Sequence, residues 1–356
     1  MARWHRHSRS QNPKRPYGDG NAPLPYPTGW FMLAPSRDVR PGAVLTLRLM
    51  GEDVVVYRTQ SGRLNVVRPY CPHLGTHLGC GGWVDGENIV CPFHRFAFDL
   101  DGAVARVGPG YTGQPVRDKL LLLPSEEVNG GIYVWVGADA GEAPHWRIPP
   151  VLEATGMKFA RIQVGTHPQE ISENGVDLRH QQALHAFAEA ECVGEPVLDR
   201  HRYSYTMHLT QATPFGRVLA EGAISFYGLG FYHLVFRVPQ YRLQHDIAVG
   251  IRALAPWQSE MLVGTRVTVD AARPPLSRLP RTVTDALSEA ASGLGLASAK
   301  RLLTQDVPIW HGKRYINPPR IARGDGPIGG FRKWAEQFYP AQGSPGPEAM
   351  ETGCRD

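Results

Sequence analysis

Two short boxes, Cys71-Pro72-His73 and Cys91-Pro92-Phe93-His94, are separated by seventeen residues and constrain this chain more than any other feature. Each box offers one thiolate and one imidazole. A two-iron, two-sulfide cluster with mixed ligation needs that set: two thiolates on one iron and two imidazoles on the other. Neutral imidazoles raise such a cluster's potential above that of an all-cysteine centre, which suits an electron relay feeding a second site. Cys₂His₂ also binds zinc, but zinc fingers usually pair cysteine with cysteine and histidine with histidine, whereas each box here is mixed.

Composition adds limits. A chain of 356 residues, 42% hydrophobic and 20% charged, is long enough for two domains of ordinary globular character. The formal net charge of +5 is local, because Arg3, Arg6, Arg9, Lys14 and Arg15 in the acid-free segment Met1–Pro16 account for all of it. The remainder offers no basic face for nucleic acid, and the segment reads as a disordered basic arm over 1–24. Of five cysteines, the boxes use two. Cys80, Cys192 and Cys354 are left, an odd and scattered set that suggests no disulfide framework and a reducing, cytoplasmic setting. The basic start is not followed by an apolar core, so no secretory signal is expected. The apolar stretch Leu219–Phe236 contains Glu221, His233 and glycines, and reads as paired strands instead of a membrane span.

The expected fold class is α+β: a small antiparallel β-domain over 25–140 and a larger helix-and-antiparallel-sheet domain over 141–340, with a disordered tail over 341–356. Asp53–Arg58, Leu64–Arg68, Asn88–Cys91, Leu120–Leu123 and Gly131–Val136 are short runs of branched and aromatic residues. Turn signals such as Asp85-Gly86 and Asn129-Gly130 separate them. Both boxes fall at turns, where a rigid scaffold can hold a cluster within a partner's reach. Gly137–Pro150 reads as a link between the two halves. Beyond it, Glu170–Ala190 is predicted helical, Tyr203–Asp270 a larger sheet, and Arg281–Gln305 a second helix ending before Pro308. The aliphatic and aromatic residues of Phe226–Val238 suit a cavity wall or an ordinary sheet core.

A relay needs a destination. His180 and His185 lie five apart on the first predicted helix, where a regular helix would set their rings about 140° apart. They can share a metal only if the helix is distorted or ends between them, and with fourteen histidines in the chain such a spacing can arise by chance. Asp177, one turn before His180, could hydrogen-bond its ring and fix the tautomer. Two histidines and a carboxylate on one face of iron form the facial triad of non-haem Fe(II) oxygenases. Asp306 is the preferred carboxylate; Asp270, at the end of a strand, and Asp285, near a helix start, compete.

These residues together carry a resemblance. Cys71-Pro72-His73-Leu74-Gly75, Cys91-Pro92-Phe93-His94 and the Asn174/Asp177/His180/His185 constellation resemble the oxygenase component of Rieske non-haem iron oxygenases. Pro25-Tyr26-Pro27-Thr28-Gly29-Trp30-Phe31 and Gln305-Asp306-Val307-Pro308-Ile309-Trp310 are most similar to the 3-ketosteroid 9α-hydroxylase and cholesterol 7-desaturase group. The resemblance implies one [2Fe–2S] cluster on Cys71, His73, Cys91 and His94, and one mononuclear Fe(II) on His180, His185 and Asp306 with Asn174 beside it. It also implies a homotrimer in which Asp177 links the cluster of one subunit to the iron of the next. O2 would be the co-substrate. No Gly-x-Gly-x-x-Gly follows a strand and opens a helix, so electrons are expected from a separate NAD(P)H-dependent reductase, with or without a ferredoxin. The expected substrate is a large apolar molecule, sterol- or steroid-like, to be hydroxylated, desaturated or demethylated. The alternatives are an electron carrier, a redox sensor, or an oxygenase for aromatic or secondary-metabolite substrates.

Three departures from the family pattern bear on the sites. Arg95 stands where glycine is common, and Gln181 where phenylalanine often follows the first iron histidine. Phe93 occupies the place of a disulfide partner for Cys80, which is therefore expected to be a small buried residue. His77 is expected to be structural.

Overall fold

The computed structural model describes residues 24–112, 117–139, 141–214, 216–269 and 278–339. The expected basic arm (except Leu24), the expected tail and Asp270 lie outside these residues. Among the described residues, the first part of the chain forms ten strands: β1 (Gly29–Pro35), β2 (Val44–Leu49), β3 (Glu52–Arg58), β4 (Leu64–Val67), β5 (Trp83–Asp85), β6 (Asn88–Val90), β7 (Ala97–Phe98), β8 (Val104–Arg106), β9 (Ser125–Val128) and β10 (Gly131–Val136). They make three antiparallel sheets, ordered β1-β10-β9, β2-β3-β4 and β5-β6-β7-β8. Val54, Val56 and Val66 face Phe31, Ile132 and Val134 in one core, while Val55, Tyr57 and Val67 turn the other way toward Cys71, Cys91 and Phe98. The two-residue alternation of β3 thus lets one strand serve both cores. Leu120–Leu123 is not a strand: its only ladder contact is the Val67–Leu122 bridge, and Leu120 is buried as a loop side chain.

The link is packed, not loose. The Trp146 ring stacks on His201 and its carbonyl accepts from Trp30 Nε1 at 2.7 Å. After it come β11 (Lys158–Val164), helix α1 (Pro168–Asn174), helix α2 (Leu178–Ala183), β12 (Glu189–Asp199), β13 (Arg202–Thr213), β14 (Gly216–Tyr227), β15 (Phe231–Val238), β16 (Leu243–Ala255), β17 (Gln258–Val269), α3 (Arg281–Gly312) and α4 (Ile328–Ala335). The strands form one seven-stranded antiparallel sheet, β11-β17-β16-β15-β14-β13-β12. Leu219–Phe236 is indeed a strand pair, β14 with β15. The α+β class holds.

Both predicted helices need correcting. Glu170–Ala190 is two short helices, because Asp177 takes an extended conformation and caps a new start, and the chain has entered β12 by Glu189. The second helix runs past Pro308 to Gly312. Proline removes one backbone hydrogen bond, yet Trp310 is buried in the sheet–helix core beyond it, and that packing carries the helix on.

One face of the large sheet holds α3, α1 and α4. The other meets the first part of the chain, with Tyr227, Phe231, Ala248 and Leu262 against Trp30, Met32 and Tyr133. A Cβ at Gly250 would lie 2.3 Å from Met32 Sδ, so glycine is what allows this close approach. Arg252 ties the two parts further, bonding Glu260 at 2.7 Å and the Leu33 carbonyl at 3.1 Å.

Candidate metal centres

The two boxes fold as copies of one loop. Cys71 N–H donates to the Thr76 carbonyl and Gly75 N–H to the Cys71 carbonyl, each at 2.9 Å. Cys91 N–H donates to the Phe96 carbonyl at 2.9 Å and Arg95 N–H to the Cys91 carbonyl at 3.0 Å. Gly75 and Arg95 therefore hold equivalent places, and both are left-handed, with φ of +74° and +59°. This explains why glycine suits that place; Arg95 accepts a conformation that costs an L-residue about 1 kcal/mol or more.

The loops bring Cys71, Cys91, His73 and His94 together. The thiols are buried and hydrogen-bonded to each other, and the imidazole centroids are 4.8 Å apart. The Cys71 thiol holds Cys91 down to about 6, helped by the backbone amides of Phe93 and His94. His73 Nδ1 is buried and has no hydrogen-bond partner. An orphaned imidazole nitrogen beside paired sulfurs fits a metal cluster. Phe96 stacks on His73 at 4.8 Å and Tyr111 closes over both imidazoles, two supports that neither box disclosed. Leu74 and Phe93 at the loop tips are 66% and 61% exposed.

Cys80 corrects the expectation: it is exposed and disulfide-bonded. Cys71, Cys91 and Cys192 are free. His77 is structural, its Nε2 3.3 Å from Asp53 and its Nδ1 accepting from Gly79 N–H at 3.1 Å.

The second constellation depends on where α2 stops. The helix ends at Ala183, between the two histidines, and Ala186 turns the chain away with a φ of +58°. The rings that a regular helix would splay lie 5.0 Å apart between centroids. Asp306, 2% exposed on α3, completes a group whose ligand atoms all lie within 4.8 Å of one another. Asp285 is excluded by position: its side chain is 71% exposed and faces Arg281.

Hydrogen bonds fix both tautomers. His180 Nδ1–H donates to the backbone carbonyl of Asp177, and His185 Nδ1–H donates to Gln305 Oε1 at 2.9 Å. Each ring is left with its Nε2 lone pair toward the group. Asn174 and Gln181 amides donate to His180 Nε2 at 3.2 and 3.0 Å. His185 Nε2 lies 3.4 Å from Asp306 Oδ1, two acceptors face to face in a buried place. That contact calls for a cation or a proton between them. Burial opposes an imidazolium at His185, but Asp306 and Gln305 outweigh it and raise its pKa. At His180 burial wins and the pKa is lowered, despite the pull of Asp306 and Asp177. Two neutral imidazoles and one carboxylate fit Fe(II).

Asp177 acts differently from expectation. Its carboxylate caps α2, accepting from Arg179 N–H at 3.1 Å and His180 N–H at 3.3 Å, while its backbone carbonyl, not its carboxylate, holds the His180 ring. Gln305 was not singled out from the sequence; only its place beside Asp306 pointed to it.

A cavity of about 280 Å³ opens from this group. Its apolar wall is built by Tyr232, Leu234, Phe236 and Val238 of β15, Ile247 and Val249 of β16, and Ala299, Leu302 and Leu303 of α3. From the predicted stretch only alternate residues of β15 contribute; Phe226 belongs to the core.

Known proteins carry the same pairing of parts. A Rieske [2Fe-2S] domain matches residues 29–116, and the 3-ketosteroid 9α-hydroxylase C-terminal domain matches residues 134–339. Cholesterol 7-desaturase of Bombyx mori is 30% identical over 344 residues, 89% of this chain and 70% of that protein. The probable 3-ketosteroid-9-alpha-monooxygenase oxygenase component of Rhodococcus rhodochrous is 27% identical, over 90% of this chain and 82% of its own. Dicamba monooxygenase bound to dicamba shares the fold, with a TM-score of 0.62 at 17% identity over 87% of this chain and 96% of that one. So does the QL mutant of Pseudomonas putida CBB5 NdmA with theobromine, with a TM-score of 0.63 at 15% identity over 86% of this chain and 89% of that one. Fold and paired sites define a Rieske-type oxidoreductase. Within that class, the chain belongs to the family whose C-terminal domain is that of 3-ketosteroid 9α-hydroxylase.

Proposed function

We propose that this protein is the terminal oxygenase of a multicomponent system, oxidising a large apolar substrate of sterol or steroid type. The observation that carries the reading is the His180/His185/Asp306 group at the base of an apolar cavity. Cys71, His73, Cys91 and His94 would hold the cluster, and His180, His185 and Asp306 the iron. When bound there, these groups supply electron transfer and O2 activation. The residues of this chain do the rest. The Asp177 backbone carbonyl orients His180, Gln305 fixes His185, Asn174 and Gln181 line the site beside them, and the β15 wall excludes water and seats the substrate. The relative from Rhodococcus rhodochrous is named as an oxygenase component, which supports a separate reductase here. Among the described residues no helix is long and apolar enough to cross a membrane. The reading requires about three irons and two acid-labile sulfides per chain, and O2-dependent oxidation of a sterol or steroid when a reductase is supplied. A preparation with full metal content that oxidises none of a sterol and steroid panel would overturn the substrate class.

The relay belongs to the same proposal, in a homotrimer where the exposed tip of Leu74 and Phe93 docks on a neighbour and Asp177 bridges the centres. The Asp177 carboxylate is one-third exposed, which leaves an oxygen for a second partner. Asp177→Asn keeps the capping oxygen, since asparagine caps a helix as well as aspartate. Metal content should stay unchanged while turnover falls by about 10- to 100-fold, the range for partners outside the ligand shell. In a single turnover the reduced cluster should stay reduced after oxygen and substrate are added. Reoxidation at the parent rate would make Asp177 a cap and nothing more.

A further inference from the structure

The stretch of α3 that carries Asp306 is held from two sides. On the N-terminal side Ser292 pins the helix to β17: its Oγ accepts from Val267 N–H at 2.8 Å, and its carbonyl accepts from Thr265 Oγ1 at 3.3 Å. Beyond that point Ala299, Leu302, Leu303 and Asp306 line the cavity, so open space stands in part where packed side chains would fix the helix's height. Pro308 then removes one of the helix's own hydrogen bonds. On the far side Trp310 packs into the core, and Lys313 closes the helix about 10 Å along the axis from Asp306.

Lys313 meets the other half of the site. Its Nζ lies 3.2 Å from Glu170 Oε1 and 3.8 Å from Glu173 Oε1, both on α1. Glu170 is 1% exposed and Glu173 5%, and two carboxylates so placed on one helix face need cations. Arg332 of α4 takes Glu173 with two bonds, of 2.6 and 2.8 Å, while its guanidinium lies over the Tyr315 ring. Glu170 accepts from Thr166 Oγ1 at 2.6 Å, and Lys313 is its cation: among the described residues no other basic side chain reaches it within ion-pair distance. From α1 the chain passes through Asp177 straight into α2, which carries His180 and stops before His185. The pair therefore joins the helix that supplies the carboxylate to the segment that places the imidazoles.

We infer that Lys313 is a positioning residue for the mononuclear site: through Glu170 it sets where Asp306 stands relative to His180 and His185, and so how tightly and in what geometry the three hold a metal. The inference rests on the reading of that group as a metal site and adds what keeps its two halves in register.

A buried ion pair also bears on folding, and the test separates the two effects. Lys313→Met leaves the Glu170 charge buried without its cation and should lower the melting temperature. Lys313→Met combined with Glu170→Gln removes both charges and keeps an acceptor for Thr166, so the melting temperature should recover. Protein with its cluster intact and its mononuclear site stripped by a chelator is titrated with Mn(II). The free ion is counted by its EPR signal, against which the oxidised cluster is silent. Affinity should fall about tenfold in Lys313→Met, the lower end of the range for residues outside a ligand shell. It should stay low in the double variant, whose bound Mn(II) should also show an altered EPR line shape, and return in Lys313→Arg. If affinity recovers in the double variant together with stability, or neither Met variant departs from the parent, Lys313 is a structural cation and the inference is wrong. If the parent itself binds no Mn(II), the metal reading falls and the inference falls with it.

Discussion

Asp306→Ala is expected to remove the mononuclear iron and leave the cluster spectrum unchanged, so that iron falls from about three per chain to about two. The carboxylate is the single anionic member of the group and is almost fully buried. Without it two neutral imidazoles remain, a weak site for Fe(II) in competition with water. Partners outside a ligand shell cost about 10- to 100-fold, so losing a ligand should cost turnover at least about 100-fold. Iron analysis beside the visible spectrum reads the result. Asp285→Ala is the control, since that side chain lies in solvent beside Arg281. Iron lost from the Asp285 variant and kept in the Asp306 variant would reverse the assignment.

Cys91→Ala and His73→Ala should each abolish the cluster's visible absorption and stop turnover, leaving about one iron per chain. Cys91 is buried among Val55, Tyr57 and Phe98, and its loop is closed by backbone bonds to Phe96 and Arg95. The loop can therefore survive loss of the thiol. The seven-stranded sheet has its own core and should keep its mononuclear iron. His77→Ala separates ligation from packing: it breaks the contact with Asp53 in the same loop but should retain the spectrum. A cluster that survives His73→Ala, or is lost with His77→Ala alone, would reassign the ligands.

What could be read from the sequence was what depends on near neighbours. Each box is a loop of six residues closed by its own backbone, so Cys71, His73, Cys91 and His94 were visible as a pattern. His180 and His185 were visible only as a condition, that the helix stop between them, and the structure meets it at Ala183. Asp306 was a preference over Asp270 and Asp285 that the resemblance then supported, because nothing local links it to histidines more than 120 positions earlier. Gln305 and Tyr111 gain their roles from partners brought together by the fold, and no periodicity marks them. The helix ends were misjudged for the same reason: Asp177 interrupts a good helical run, while the burial of Trp310 carries α3 through a proline that should stop it.

The ending of α2 carries a consequence for anyone who alters this protein. The segment from Leu184 to Ala188 is locally content to be helix, and the metal site exists only because it is not. Ala186, with its φ of +58°, is where local preference and global need conflict. Glycine there would relieve the conflict without lengthening the helix. Substitutions chosen to raise helical content across 184–188 would push the other way, swinging His185 out of reach of His180. Thermal robustness gained in that stretch would be drawn from catalytic competence, so attempts to harden the enzyme belong elsewhere in the chain.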